Sequence, residues 1–101
     1  MKLIRTQTFN KLYSKLDTSV QKLVNKQIEI LIETKGQGKP LYKDILFERK
    51  VEGFRMYYFK INKNTIILIL ASIMKKTSKK TQQKEIEKLK DELDKLFSDF
   101  Q

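Results

Sequence analysis

The stretch Leu46 to Ile61, LFERKVEGFRMYYFKI, constrains the fold more than any other. It reads as a β-hairpin. Two runs rich in strand formers, Leu46–Val51 and Phe54–Ile61, flank a break at Glu52-Gly53, and glycine accepts the positive φ that a tight turn demands. Side chains alternate faces along a strand. Glu48 and Lys50 therefore share one face of the first strand, and Arg55 and Tyr57 share one face of the second. A two-residue loop places Val51 opposite Phe54, Lys50 opposite Arg55 and Glu48 opposite Tyr57, with all four polar groups on one face. A three-residue loop with Gly53 in a bulge places Arg49 opposite Arg55 instead. Glutamate is unfavourable at the first position of a tight primed turn, so both registers stay open. In either one Arg55 faces a second cation. That costs energy unless an anion lies between the two or both splay into water.

Charge narrows the class of partner. The chain has 101 residues and a formal charge of +10. Residues 1–40 carry +5, residues 41–80 carry +7 and residues 81–101 carry −2. The body of the domain is basic and the tail mildly acidic, which favours an anionic partner, most simply nucleic acid, and would also suit an acidic protein. The alternative is a Lys-rich soluble protein with no such partner. Cysteine and histidine are both absent. Disulfides, thiolate chemistry, the commonest general base and the usual zinc ligands are thereby excluded. No metal or cofactor is expected. The longest apolar run, Ile66 to Ala71, is far short of a membrane span. MKLIRTQTF does not read as a secretory leader. The expectation is a soluble cytoplasmic protein with no membrane contact, and one domain over residues 1–101.

In chain order, Lys2 to Phe9 reads as a short strand. Phe9, Leu12, Tyr13 and Leu16 then follow helical spacing. Thr18 and Gln21 form a candidate capping box for a second helix over Ser19–Thr34, whose stripe is Val20, Leu23, Val24, Ile28 and Leu31. That stripe reads as core rather than as a ligand site. Gly36 to Pro40 ends the helix and reads as a connector, because it lacks the spacing of a phosphate-cradling loop. After the hairpin, Asn62-Lys63-Asn64 reads as a turn, and the β-branched run Thr65–Ile73 suits a central strand buried on both faces. Lys75, Lys76, Lys79 and Lys80 sit in a basic linker. It enters a helix over Thr81–Phe97, with Thr81 as N-cap and a stripe of Ile86, Leu89, Leu93, Leu96, Phe97 and Phe100. Cations at a helix N-terminus oppose its dipole, and a bound anion would relieve that; a solvated linker is the alternative. The order β-α-α-β-β-β-α predicts an α+β domain: a mainly antiparallel four-stranded sheet, an N-terminal helical hairpin and a C-terminal helix.

These elements, with GKPLYKDILFERKV (Gly38–Val51), GFRMYYF (Gly53–Phe59) and KTQQKEIEKLK (Lys80–Lys90), resemble the RelE/ParE superfamily of type II toxins, and within it the HigB-like addiction module killer proteins. The resemblance covers nearly the whole chain and is strongest from Gly38 to Lys90. It implies a RelE-like fold and a toxin neutralised by a cognate acidic antitoxin, as a hetero-oligomer. That antitoxin would cover the basic sheet face or displace the C-terminal helix. Many relatives are endoribonucleases that cleave mRNA on the ribosome, whereas the ParE branch poisons DNA gyrase. A catalytically inactive basic binding module is a third reading.

RNA cleavage needs neither metal nor histidine in principle, because the nucleophile is the RNA 2′-OH. The protein must hold the scissile phosphate in line, neutralise its developing charge and help protons on and off. Arg55 matches the arginine that relatives carry on this strand, and the resemblance implies that it stabilises the transition state. Lys50 stands where many relatives have Arg, leaving a point charge in place of a bidentate fork. Glu48 matches the Glu of the family's Leu-aromatic-Glu motif and acts either as a base or as an orienter of Arg55 or Lys50. The catalytic candidates are therefore Arg55, Glu48 and Lys50. The RNA-binding candidates are Arg49, Tyr57, Lys75, Lys76, Lys79 and Lys80, with Tyr57 either stacking on a base or packing in the core. Tyr58, on the opposite face, reads as core. Relatives often place a His or Tyr near the C-terminal end; here Phe97 and Phe100 offer a stacking surface but no proton.

Overall fold

In the computed structural model, residues 1–62 and 64–99 are described, with side chains described through Lys95. Lys63, the side chains of Leu96 and Phe97, and all of Phe100, which the sequence reading assigned to a turn and to the last helix's stripe, lie outside the described residues. The elements are β1 (Lys2–Arg5), α1 (Gln7–Ser14), α2 (Thr18–Glu33), β2 (Lys39–Tyr42), β3 (Leu46–Val51), β4 (Phe54–Asn62), β5 (Ile66–Lys75) and α3 (Lys79–Asp99). They form one five-stranded sheet of order β1-β5-β4-β3-β2, with β1 parallel to β5 and the other pairings antiparallel. The α+β class holds, and the sheet has one strand more than expected.

The extra strand is β2, drawn from Lys39 and Pro40, read as part of a connector, and from Leu41 and Tyr42, which the sequence assigns to no element. Lys43 and Asp44 both adopt φ 52°, and the Ile45 amide donates to the Tyr42 carbonyl at 3.0 Å. Two successive left-handed residues closed by such a bond make a primed hairpin turn. Lys-Asp seldom signals one. Pro40 is tolerated because β2 is an edge strand.

Three helix starts also differ from expectation. β1 stops at Arg5 because Thr6 caps α1, its hydroxyl accepting from the Phe9 amide at 3.1 Å. The capping box at Thr18 and Gln21 does not form: Asp17 is the N-cap, and the Gln21 side-chain amide donates to the Tyr13 carbonyl at 3.0 Å. α3 begins at Lys79 rather than Thr81, with Ser78 Oγ accepting from the Thr81 amide at 3.3 Å.

Helices cover both faces of the sheet. On one side α1 and α2 bury Phe9, Val24, Ile28 and Leu31 against Val51, Met56, Tyr58, Leu68, Leu70 and Ile73. On the other, α3 lays Leu89 and Leu93 over Leu46, Tyr57, Phe59 and Ala71. No helix among the described residues is long and apolar enough to cross a membrane.

Candidate active site

The β3–β4 register is that of the two-residue loop. Val51 faces Phe54, Lys50 faces Arg55 and Glu48 faces Tyr57. Only Gly53 has positive φ (76°); Glu52 does not. The turn therefore avoids the primed geometry that disfavours glutamate. Leu46, Glu48 and Lys50 alternate toward the α3 side, while Phe47, Arg49 and Val51 point toward α1 and α2.

Arg55 and Glu48 form the centre of the α3 face. Arg55 Nη1 donates to Glu48 Oε1 at 2.5 Å, and their side chains are only 12% and 7% exposed. A buried ion pair is costly to break from one side, because the survivor keeps its desolvation penalty. Glu48 thus fixes the guanidinium in one orientation, which favours the orienting role over that of a base. Arg55 Nε is buried with no hydrogen-bond partner among the described residues.

Tyr57 lies beside this pair, fully buried and with an unpartnered hydroxyl. Burial, reinforced by the Glu48 charge, pushes its pKa up to about 12. As placed, the ring presents no surface on which a base could stack. Tyr58 points the other way. Its hydroxyl donates to the Gly36 carbonyl at 2.8 Å, and burial likewise raises it to about 12. Gly38 has no side chain because a Cβ there would collide with that hydroxyl. The Gly36–Gly38 segment therefore serves packing around Tyr58.

Two residues at this site escaped the sequence reading. Ser72 pairs with Tyr57, and the register then slips so that Leu70 pairs with Tyr58. The extra residue, Ala71, is a β-bulge, which puts Ala71 and Ser72 on the same side of the sheet. Ser72 is 1% exposed and donates from Oγ to Glu85 Oε1 of α3 at 2.9 Å. Strict alternation along Thr65–Ile73 carries no sign of a bulge, so no pattern in the sequence places Ser72 beside Tyr57.

The basic candidates divide. Lys50 is exposed opposite Arg55. Lys75 ends β5 opposite Phe54, and the Lys76 amide donates to the Gly53 carbonyl at 2.7 Å, so both lie at the hairpin-turn end of the sheet. Lys79 and Lys80 open α3 and are exposed. Arg49 does not join them. It lies on the α2 side, with Nε donating to Gln27 Oε1 at 2.6 Å and Nη1 to the Gln37 carbonyl at 2.9 Å. The result is a lysine-rimmed sheet face with one fixed guanidinium at its centre. Such a face can bind a phosphodiester and stabilise charge on it.

No protein-family model matches the chain, and no curated protein matches it by sequence. Solved structures do match. A chain of the intact E. coli RelBE toxin–antitoxin complex superposes with a TM-score of 0.62 at 21% identity, covering 76% of this chain and 98% of its own. A mutant of the E. coli toxin RelE in the free state gives 0.68 at 15% identity, covering 86% and 95%. The isolated E. coli RelE toxin gives 0.59 at 18% identity, covering 87% and 97%. The fold is that of RelE.

Proposed function

We propose that this chain is the toxin of a type II toxin–antitoxin pair, and that it cleaves mRNA on the ribosome without a metal. The observation that carries the proposal is Arg55. It is held by Glu48 at 2.5 Å on the face of a RelE-like sheet and is flanked by lysines. In the reaction, the RNA 2′-oxygen attacks the adjacent phosphorus and the 5′-oxygen leaves. The products are a 2′,3′-cyclic phosphate and a 5′-hydroxyl. One proton leaves the 2′-oxygen and one reaches the 5′-oxygen. Arg55 neutralises the charge that builds on the non-bridging oxygens, while Glu48 keeps it aimed. Lys50 adds a point charge. Lys75, Lys76, Lys79 and Lys80 contact the flanking backbone, and Arg49 braces β3 against α2.

The partner is a cognate acidic antitoxin, in keeping with the +10 charge and with the toxin–antitoxin complex among the structural matches. Ribosomal mRNA as target places the protein in the cytoplasm, and among relatives the HigB-like proteins are the branch we favour. The test is a reconstituted translation reaction with mRNA 3′ ends mapped, comparing the wild type with Arg55→Gln, which leaves Glu48 a hydrogen-bond donor. Cuts within A-site codons that vanish in the variant are expected. Intact mRNA with the wild type would overturn the enzyme reading and direct attention to gyrase.

A further inference from the structure

Cleavage through the RNA 2′-OH needs a group that takes its proton. Most side chains on the α3 face of the sheet have no lone pair to offer. Arginine and lysine cations only donate, and burial holds the proton on Tyr57, whose pKa is about 12. Two carboxylates act on the Tyr57 hydroxyl, those of Glu48 and Glu85. Glu48 is 7% exposed and committed to Arg55. Glu85 is half-buried on α3 and keeps contact with solvent. We infer that Glu85 accepts the 2′-OH proton, and that Ser72 aims its carboxylate. This rests on the enzyme reading and names the proton acceptor of that reaction.

The β5 bulge sets the geometry. Ser72 lies opposite Tyr57, and Arg55 lies two residues from Tyr57 on the same side of β4. Neighbouring strands are about 5 Å apart, and alternate residues on one strand face about 7 Å apart. Ser72 Oγ donates to Glu85 Oε1 at 2.9 Å. The Glu85 carboxylate and the Arg55 side chain therefore lie close enough for one nucleotide to touch both, with α3 where it stands. Ser72 is the one hydrogen-bond partner of Glu85 among the described residues. A carboxylate has about four lone-pair sites, so this single bond orients it and leaves the others for a hydroxyl. Arg55 Nε is a buried donor with no partner among the described residues, and a phosphate oxygen would satisfy it.

In the step itself, the 2′-oxygen bonds to phosphorus and its proton passes to Glu85. The bond from phosphorus to the 5′-oxygen breaks, and the 5′-oxygen takes a proton from solvent water. Glu85 returns its proton to solvent once the product has left. The two carboxylates thus have separate tasks: Glu48 holds the guanidinium and Glu85 takes the proton. A positioned general base contributes about 10²–10⁴-fold in rate.

The test uses the full chain on ribosomes programmed with a synthetic mRNA, followed through a single turnover. Glu85→Gln keeps an oxygen for Ser72 and loses the base. Its cleavage rate is expected to fall about 10²-fold or more. Its binding to the same complex with a 2′-deoxy scissile nucleotide should stay within about threefold of the wild type. A second mRNA carries sulfur in place of the 5′-oxygen, a leaving group that needs no proton, and the defect should persist there undiminished. A near-wild-type rate in Glu85→Gln overturns the assignment. So does a matching loss of binding, or a defect that sulfur erases, which would make Glu85 the donor instead. Should Glu85→Gln fail to fold, Glu85→Asp decides. It withdraws the carboxylate by one methylene and should slow cleavage roughly tenfold or more with binding kept; a wild-type rate overturns the inference. Wild-type cuts that persist at full rate in the variants sink Glu85 and keep the enzyme. Intact mRNA with the wild type sinks the enzyme reading, and the role of Glu85 with it.

Discussion

Tyr57 and Tyr58 are neighbours in the chain, equally buried, and opposite in what surrounds them. Tyr58 faces α1 and α2, stacks on Phe47 with ring centroids 5.6 Å apart, and gives its proton to Gly36. Tyr57 faces α3 beside an ion pair, and its hydroxyl has no hydrogen-bond partner among the described residues. The same contrast runs across the two sides of the sheet. The buried core on the α1/α2 side is apolar apart from the Tyr58 hydroxyl, which has a partner. The α3 side mixes an apolar patch with Glu48, Arg55, Ser72 and unpartnered donors. Unsatisfied buried polar groups lower stability, and they persist where a site needs them. One face holds the fold together, and the other keeps its polar groups available.

This contrast can be broken by substitution. The largest effect is expected from Phe9→Ala, which empties a fully buried position on the apolar side. A loss of about 3–5 kcal/mol is predicted, measured by urea unfolding. Arg55→Ala comes next, because it strands Glu48 in a buried position. About 3 kcal/mol is expected, and a loss below about 1 kcal/mol would mean that the pair is not buried in solution. Alkaline pH should follow. Both phenols titrate near 12 in the folded chain, above the value of about 10 in an unfolded one. Their stabilisation is complete below about pH 10 and is lost as pH rises toward 12. Unfolding midpoints measured across that window should fall. Tyr58→Phe orphans the Gly36 carbonyl and should cost about 1–2 kcal/mol. Tyr57→Phe removes a hydroxyl that has no partner, so its unfolding midpoint should stay within about 0.5 kcal/mol of the wild type or rise. Equal losses from the two phenylalanine variants would erase the contrast.

The hairpin was the most legible part of the sequence, because alternation and Gly53 act locally. Its polar face followed once the register was known. The central strand β5, the α2 stripe apart from Leu23, which is exposed, and the described part of the α3 stripe were legible for the same reason: burial repeats with the period of the element. β2 was not legible, since Pro40 and the Lys43-Asp44 turn carry loop chemistry, and only pairing with β3 makes that segment a strand. The capping box at Thr18 failed because a tertiary acceptor, the Tyr13 carbonyl, took the Gln21 side chain. Ser72 and Glu85 were hidden more deeply. One depends on a bulge and the other on where a distant helix docks. Arg49 shows the reverse: its charge drew attention, yet the pleat turned it toward Gln27 and Gln37.

The contrast between the two faces is tested most directly by native-state hydrogen exchange, read amide by amide. Opening free energies differ between parts of a protein that open separately. The account predicts that α3 amides from Gln82 to Leu93 exchange roughly tenfold faster or more than those of α2 from Val24 to Leu31, through openings that leave α2 closed. Exchange of both helices at one common rate, set by unfolding of the whole chain, would contradict it.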